Sequence, residues 1–166
     1  MTATYFIRLR DFVLLTFVQV LIFSHIHLFG YATGCVALIF LLKLPRLTSR
    51  NELLLWGFLM GLTIDMFGNT PGINAAAMTA VAFIRSIILE HFIPKGFADD
   101  MTPGIKSTNA VRYISYTSIC VLIFHTILYL LELFTINYPL PLLIGASSST
   151  LLTMLFIIIA EFFTRK

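Results

Sequence analysis

Charge is scarce in this chain. Asp, Glu, Lys and Arg make up 11% of the residues, against about 25% in an ordinary soluble domain. That scarcity excludes a fully solvated surface, and the net charge of +3 is too small and too scattered for a nucleic-acid-binding face. Cysteine is equally sparse. The only two, Cys35 and Cys120, lie inside apolar runs, which excludes a disulfide framework and makes them small buried hydrophobes. Catalytic signatures are missing as well. There is no G-x-S-x-G, no H-E-x-x-H, no phosphate-binding Gly-Lys loop and no Cys-x-x-Cys. His25 and His27 are two apart, hence on different faces of a helix, and Asp99 and Asp100 lack a further ligand set. No internal repeat or low-complexity tract is found. The inventory is that of a scaffold or binding module, not an enzyme, with no metal and no cofactor expected.

Apolar residues dominate: 58% of the chain, including 16 Phe. The cations are sorted among the apolar runs. Arg8 and Arg10 precede the first run, and Lys43, Arg46 and Arg50 follow the second. Arg85, Lys95, Lys106 and Arg112 surround the gap after the fourth, and Arg165 and Lys166 lie at the end. The gaps near Gly30, Asn69 and Asn137 carry none. A soluble core has no reason to alternate in this way, whereas loops rich in Lys and Arg stay cytoplasmic in a membrane protein. The expectation is an all-α integral membrane protein, a single domain of about six transmembrane helices with both termini cytoplasmic. Arg8 and Arg10 ahead of an apolar stretch mimic a signal peptide, but no A-x-A site follows, so the first run reads as an uncleaved span.

The expected spans cover 12–28, 31–44, 52–67, 73–89, 111–134 and 142–163. The first two form one apolar run of about 33 residues, or ~50 Å as a single helix, too long for a ~30 Å hydrocarbon core. Folding back near Gly30 keeps Arg8 and Arg46 on one side. The second span is short; tilting, local bilayer thinning and incomplete crossing all remain open for it. Residues 68–72 and 137–141, rich in Gly, Asn and Pro, read as tight outer turns. Residues 91–110 read as an irregular inner loop.

Asp65 is the sharpest single residue. A charge at membrane depth costs about 3 kcal/mol at a helix centre and less near the interface, so it needs a partner, water or a raised pKa. Gly57, Gly61 and Asp65 are spaced by four, with Gly68 close to the same stripe, and 57–61 is a GxxxG sequence. Asp65 therefore points at a helix interface. Gly72, Ala76 and Ala80 are also spaced by four, and the short turn with Pro71 forces the two spans antiparallel. The pattern predicts Gly57 and Gly61 facing Ala76 and Ala80, with Asn74 placed to donate to Asp65. The patch reads either as a close-packed hairpin alone or as one that also docks a partner. A proton relay would need a second acid, and none lies nearby in sequence.

His125 and Glu132, seven apart with Tyr129 between them, form a polar stripe toward the outside. It reads as interhelical hydrogen bonding ahead of a metal or substrate site. Gly145, Ser147, Ser148, Ser149, Thr150 and Thr153 make the start of the last span small and mildly polar, which suits helix packing. Arg85 is expected to snorkel to the inner interface, and Glu161 and Arg165 form an i,i+4 pair.

The stretch WGFLMGLTIDMFGNTPGINAAAMTAVAFIRSIIL, residues 56–89, resembles the signature of the rod shape-determining membrane protein family MreD. That family has a Gly-rich span ending in Asp, a turn with small residues and Pro-Gly or Leu-Gly, then an Ala-rich span. The matching positions are Gly57, Gly61, Asp65, Gly68, Pro71, Gly72, Ala75, Ala76 and Ala77. Two departures are that 68–70 reads Gly-Asn-Thr where many members have Ser-Gly, and that Asn74 stands where a His is common. The resemblance implies a non-enzymatic subunit of the bacterial cell-elongation machinery in the cytoplasmic (inner) membrane, supporting cell shape and peptidoglycan synthesis. It implies association with the bitopic protein MreC, and through it with MreB, RodA and a class B penicillin-binding protein. It also implies a fold similar to the membrane substrate-binding subunits of energy-coupling-factor transporters. Membrane lipid and a second copy of the chain complete the expected partners. The alternative is a binding subunit of a vitamin-type transporter. An enzyme acting on lipid-linked precursors would need more than Asp65 and Glu132.

Overall fold

A computed structural model describes residues 2–21, 27–28, 32–92, 101–133 and 139–163. Helix α1 (Thr2–Leu21) is followed by two-residue strands β1 (His27–Leu28) and β2 (Ala32–Thr33), paired antiparallel with His27 opposite Thr33. Then come α2 (Leu38–Leu42), α3 (Arg50–Gly68), α4 (Ile73–Phe92), α5 (Ile105–Thr108), α6 (Ala110–Leu133) and α7 (Pro139–Phe163). The most extensive packing joins α3 to α4, α4 to α6, and α6 to α7; α1 leans on α3 and β2 on α7. Among the described residues three helices, Ile73–Phe92, Ala110–Glu132 and Leu143–Phe163, are long and apolar enough to cross a membrane.

The first two expected spans are corrected. The apolar run begins at Phe12, yet α1 begins at Thr2 and takes Arg8 and Arg10 into the helix. Nothing between them breaks a helix, and hydropathy marks where apolar surface starts, not where helical hydrogen bonding starts. The second run does not form a spanning helix. Its helical part, α2, is five residues, or about 7.5 Å. Every residue from 34 to 42 is buried, so the segment threads into the bundle, enclosed by longer helices. Phe40 packs edge-on to Phe12 of α1 at 5.7 Å and to Trp56 of α3 at 5.4 Å between ring centroids. Buried on every side, such a segment reads as a continuous apolar run, which is why its sequence mimics a span.

Local signals set the other boundaries. Ser49 caps α3, its hydroxyl accepting from the Glu52 N–H at 3.4 Å. Asn69 ends α3 in the left-handed conformation (φ 53°), and Gly72 takes φ +83° before α4 begins. Prolines 139 and 141 fall in the first turn of α7, where a missing N–H costs no helical bond.

The charges gather at one end of the bundle. Arg8 pairs with Glu52, and Lys43 Nζ lies 2.6 Å from Glu161. Glu161 also accepts from the Ile105 N–H at 3.3 Å. Glu161 thus makes a tertiary ion pair; Arg165, its expected i,i+4 partner, lies outside the described residues. The irregular loop expected over 91–110 is shorter, because α4 runs to Phe92 and α5 and α6 claim its far end; Lys95, Asp99 and Asp100 lie outside the described residues, as does His25.

Candidate functional site

Asp65 is buried near the end of α3 and accepts four hydrogen bonds. Oδ1 receives the Thr70 hydroxyl at 2.8 Å, the Asn74 N–H at 3.0 Å and Asn74 Nδ2 at 3.0 Å. Oδ2 receives the Ala75 N–H at 2.8 Å. The side chain thus caps the first turn of α4 from across the hairpin. It satisfies amides that a helix start leaves without partners and sits at the positive end of the helix dipole. Every one of these contacts is a donor facing the side-chain oxygens, so the site holds this side chain still.

The glycine face of α3 meets α4 at backbone contact, on a different stripe from the one the spacing suggested. A Cβ on Gly61 would stand 2.5 Å from the Ala75 Cα and the Asn74 carbonyl oxygen; one on Gly57 would stand 3.0 Å from the Ala82 Cβ and 3.1 Å from the Met78 carbonyl oxygen. The seam on α4 is therefore Ala75, Met78 and Ala82, all buried. Ala76 is exposed and Ala80 half-buried, so the expected Gly57/Gly61 to Ala76/Ala80 contact is corrected. The four-residue repeat from Gly72 is real in sequence, but the Asp65 cap on Asn74 and Ala75 fixes which side of α4 turns inward. The stripe of Gly72, Ala76 and Ala80 then lies on the outer side of the hairpin. Pro71 is exposed in the turn. A Cβ on Gly68 would meet only the Thr70 hydroxyl, at 3.3 Å.

The buried segment before α2 has polar backbone that water does not reach, and two helices, α1 and α7, supply its partners. Gln19 of α1 accepts from the Val36 N–H at 2.8 Å and the Ala37 N–H at 3.3 Å, and donates to the Gly34 carbonyl at 2.9 Å. From α7, the Ser149 hydroxyl accepts from the Thr33 N–H and the Thr153 hydroxyl from the Cys35 N–H, both at 3.0 Å. Those hydroxyls are held by α6: Tyr129 Oη lies 2.9 Å from Ser149 Oγ, and His125 Nε2 lies 2.9 Å from Thr153 Oγ1. Two rungs, four residues apart on both helices, therefore run from α6 through α7 to the segment. At the far end of α2, Arg85 of α4 donates to the Leu42 carbonyl at 3.2 Å and to the Leu44 carbonyl. Arg85 is fully buried. It caps a helix C-terminus, where a cation is favoured, and does not snorkel as expected. Irregular backbone is tolerated at membrane depth only with such protein partners.

His125 and Glu132 differ in environment. His125 is fully buried, and its Nδ1 has no hydrogen-bond partner among the described residues; Glu132 is exposed. Both line one cleft of about 300 Å³, together with Gln19, Thr70 and Asn74. The cleft joins the two groups that the sequence analysis kept apart, the Asp65 turn and the α6 stripe. Among the described residues no three His, Cys, Asp or Glu side chains converge on a point suited to a metal.

Sequence reasoning missed Gln19 and the clamp it makes. The available signal was a lone amide inside an apolar run, a group that demands a partner for the same reason Asp65 does. Arg85 carries a similar signal, a cation inside an apolar run that needs either the interface or, as here, buried carbonyl partners. No protein family, curated protein or solved structure matches this chain.

Proposed function

We propose that the chain is a multi-pass membrane scaffold of the MreD kind in a bacterial inner membrane, with both termini cytoplasmic. In this reading it is non-enzymatic and serves the cell-elongation complex through an MreC-like bitopic protein, which links it to MreB, RodA and a class B penicillin-binding protein. The observation that carries the reading is the small-residue stripe of Gly72, Ala76 and Ala80, directed outward beside a turn locked by Asp65. Small residues on an outer helix face let a second helix approach closely, and the rigid turn fixes the angle at which it arrives. The gathering of Arg8, Arg10, Lys43, Glu52 and Glu161 at one end supports a cytoplasmic face there.

The test is a detergent pull-down of the tagged chain from its native membranes, read by mass spectrometry, alongside Ala76→Leu and Ala80→Leu. Recovery of an MreC-like protein with elongation synthases by the native chain, and its loss in both variants, is the expected result. Partner recovery unaltered in both variants removes the stripe from the reading.

A second reading, a binding subunit of a small-molecule transporter, is favoured by the cleft that brings together His125, Glu132 and Asn74. It requires copurification of ATPase cassettes and of a bound small molecule; mass spectra lacking both dismiss it.

A further inference from the structure

Glu132 is the one acid on the cleft of about 300 Å³ that also holds His125 and Asn74, and no Lys or Arg lines it. The Glu132 carboxylate makes no ion pair among the described residues. The stretches that supply the lining, 11–42, 51–84 and 113–164, contain no Lys or Arg at all. The polar atoms nearby have used their hydrogens and keep lone pairs. Asn74 Nδ2 gives its two hydrogens to Asp65 Oδ1 at 3.0 Å and Thr70 Oγ1 at 3.2 Å, so Asn74 Oδ1 is left as an acceptor. The Thr70 hydroxyl gives its proton to Asp65 at 2.8 Å. Two turns back along α6 from Glu132, about 10 Å, His125 Nδ1 is buried with no partner among the described residues, while Nε2 engages Thr153. Ile64, Ile73, Phe124 and Leu128 make the rest of the lining apolar.

We infer that this cleft binds a small primary ammonium with an apolar body and a terminal hydroxyl, its ammonium at Glu132 and Asn74 Oδ1 and its hydroxyl at His125 Nδ1. The inference rests on the second reading above for the cleft as a ligand site; it adds the ligand class and does not require transport. Charge complementarity picks the head group. One acid without a cation, beside an acceptor without a donor, calls for a group that is positive and only donates, and an ammonium is both. The apolar walls favour an organic cation over a hydrated metal ion, and among the described residues no set of metal-ligating side chains converges. The far end is set by the imidazole. A buried ring nitrogen without a partner is unfavourable, and a ligand that supplies one relieves it. A hydroxyl both donates and accepts, so it satisfies Nδ1 in either tautomer. Between the two ends, a hydrocarbon body covers Phe124 and Leu128.

The experiment is isothermal titration calorimetry of the full chain in detergent with four probes: tyramine, phenethylamine, 4-ethylphenol and tyrosine. Tyramine is expected to bind at one site. Phenethylamine lacks the hydroxyl and should bind about fivefold more weakly. 4-Ethylphenol lacks the ammonium, and tyrosine adds a carboxylate facing Glu132; each should bind about tenfold more weakly or less. Glu132→Gln, at an exposed position, is expected to remove the preference for tyramine over 4-ethylphenol, and helical circular dichroism confirms that the variant folds. No saturable tyramine binding, equal affinity for tyramine and 4-ethylphenol, or an unaltered preference in Glu132→Gln overturns the inference. Equal affinity for tyramine and phenethylamine, or displacement of tyramine by potassium or calcium ions, overturns it too. Copurification of ATPase cassettes with an acidic or uncharged ligand would keep the second reading and remove this ligand class alone.

Discussion

Asp65 Oδ2 accepts the Ala75 backbone N–H at 2.8 Å, so the last turn of α3 caps the first turn of α4. The same carboxylate takes the Asn74 N–H and the Asn74 side chain. A single side chain therefore fixes the pitch, the register and the facing of the hairpin on which the proposed docking stripe sits.

Asp65→Ala removes all of these acceptors at once. The expected loss is about 2–3 kcal/mol, from the cap and from buried donors left without partners. Asp65→Asn keeps part of the acceptor set and should lose roughly half as much. Thermal unfolding in detergent measures both; equal stability of Asp65→Ala and the native chain would refute the capping role.

Gly61 and Gly68 should respond in opposite ways to alanine. At Gly61 the new methyl meets backbone at 2.5 Å, which cannot give without separating the helices, and the cost is about 3 kcal/mol. At Gly68 the nearest atom is a side-chain hydroxyl at 3.3 Å. There the change should fall between neutral and about 1 kcal/mol stabilising, as helix entropy favours alanine. The same unfolding assay compares the two, and indistinguishable midpoints would contradict the close approach.

Gln19→Leu strands the Val36 and Ala37 amides and the Gly34 carbonyl in the interior. A loss of about 3 kcal/mol is expected. Hydrogen exchange gives the more specific readout. Exchange at Val36 and Ala37 should accelerate more than at amides of α4 and α6, and a uniform acceleration would mean that Gln19 does not act on this segment in particular.

Arg85→Met leaves the Leu44 carbonyl without its donor and the Leu42 carbonyl with the Tyr116 hydroxyl at 3.4 Å, and about 1–3 kcal/mol should be lost. Cys35 and Cys120 are buried free thiols, so maleimide labels them only when the bundle opens. Faster labelling in Arg85→Met than in the native chain is expected; unchanged labelling would show that the α2 terminus holds without the guanidinium.

Much of the helical layout is legible in the sequence. Long apolar runs and Gly-Pro punctuation place α3, α4, α6 and α7 to within a few residues, because a helix that buries apolar side chains must be apolar over its length. The polar residues within those runs, Asp65 and His125, announce that partners exist. For Asp65 even the donor Asn74 follows from its position just past a tight turn.

The path of residues 34–44 does not follow from the sequence. A segment buried on all sides and a helix bathed in lipid are both continuous apolar runs, and hydropathy does not distinguish the two. Only the tertiary structure shows that Gln19, Ser149, Thr153 and Arg85 satisfy a backbone that is mostly not helical. The facing of α4 is decided in the same way. Sequence spacing offered the Gly72–Ala76–Ala80 stripe to α3, whereas the Asp65 cap turned Ala75, Met78 and Ala82 inward. Composition and periodicity determined that this chain would be built of apolar helices with a few costly polar groups. Where those groups find their partners is a matter of distances between remote segments, and only the fold sets them.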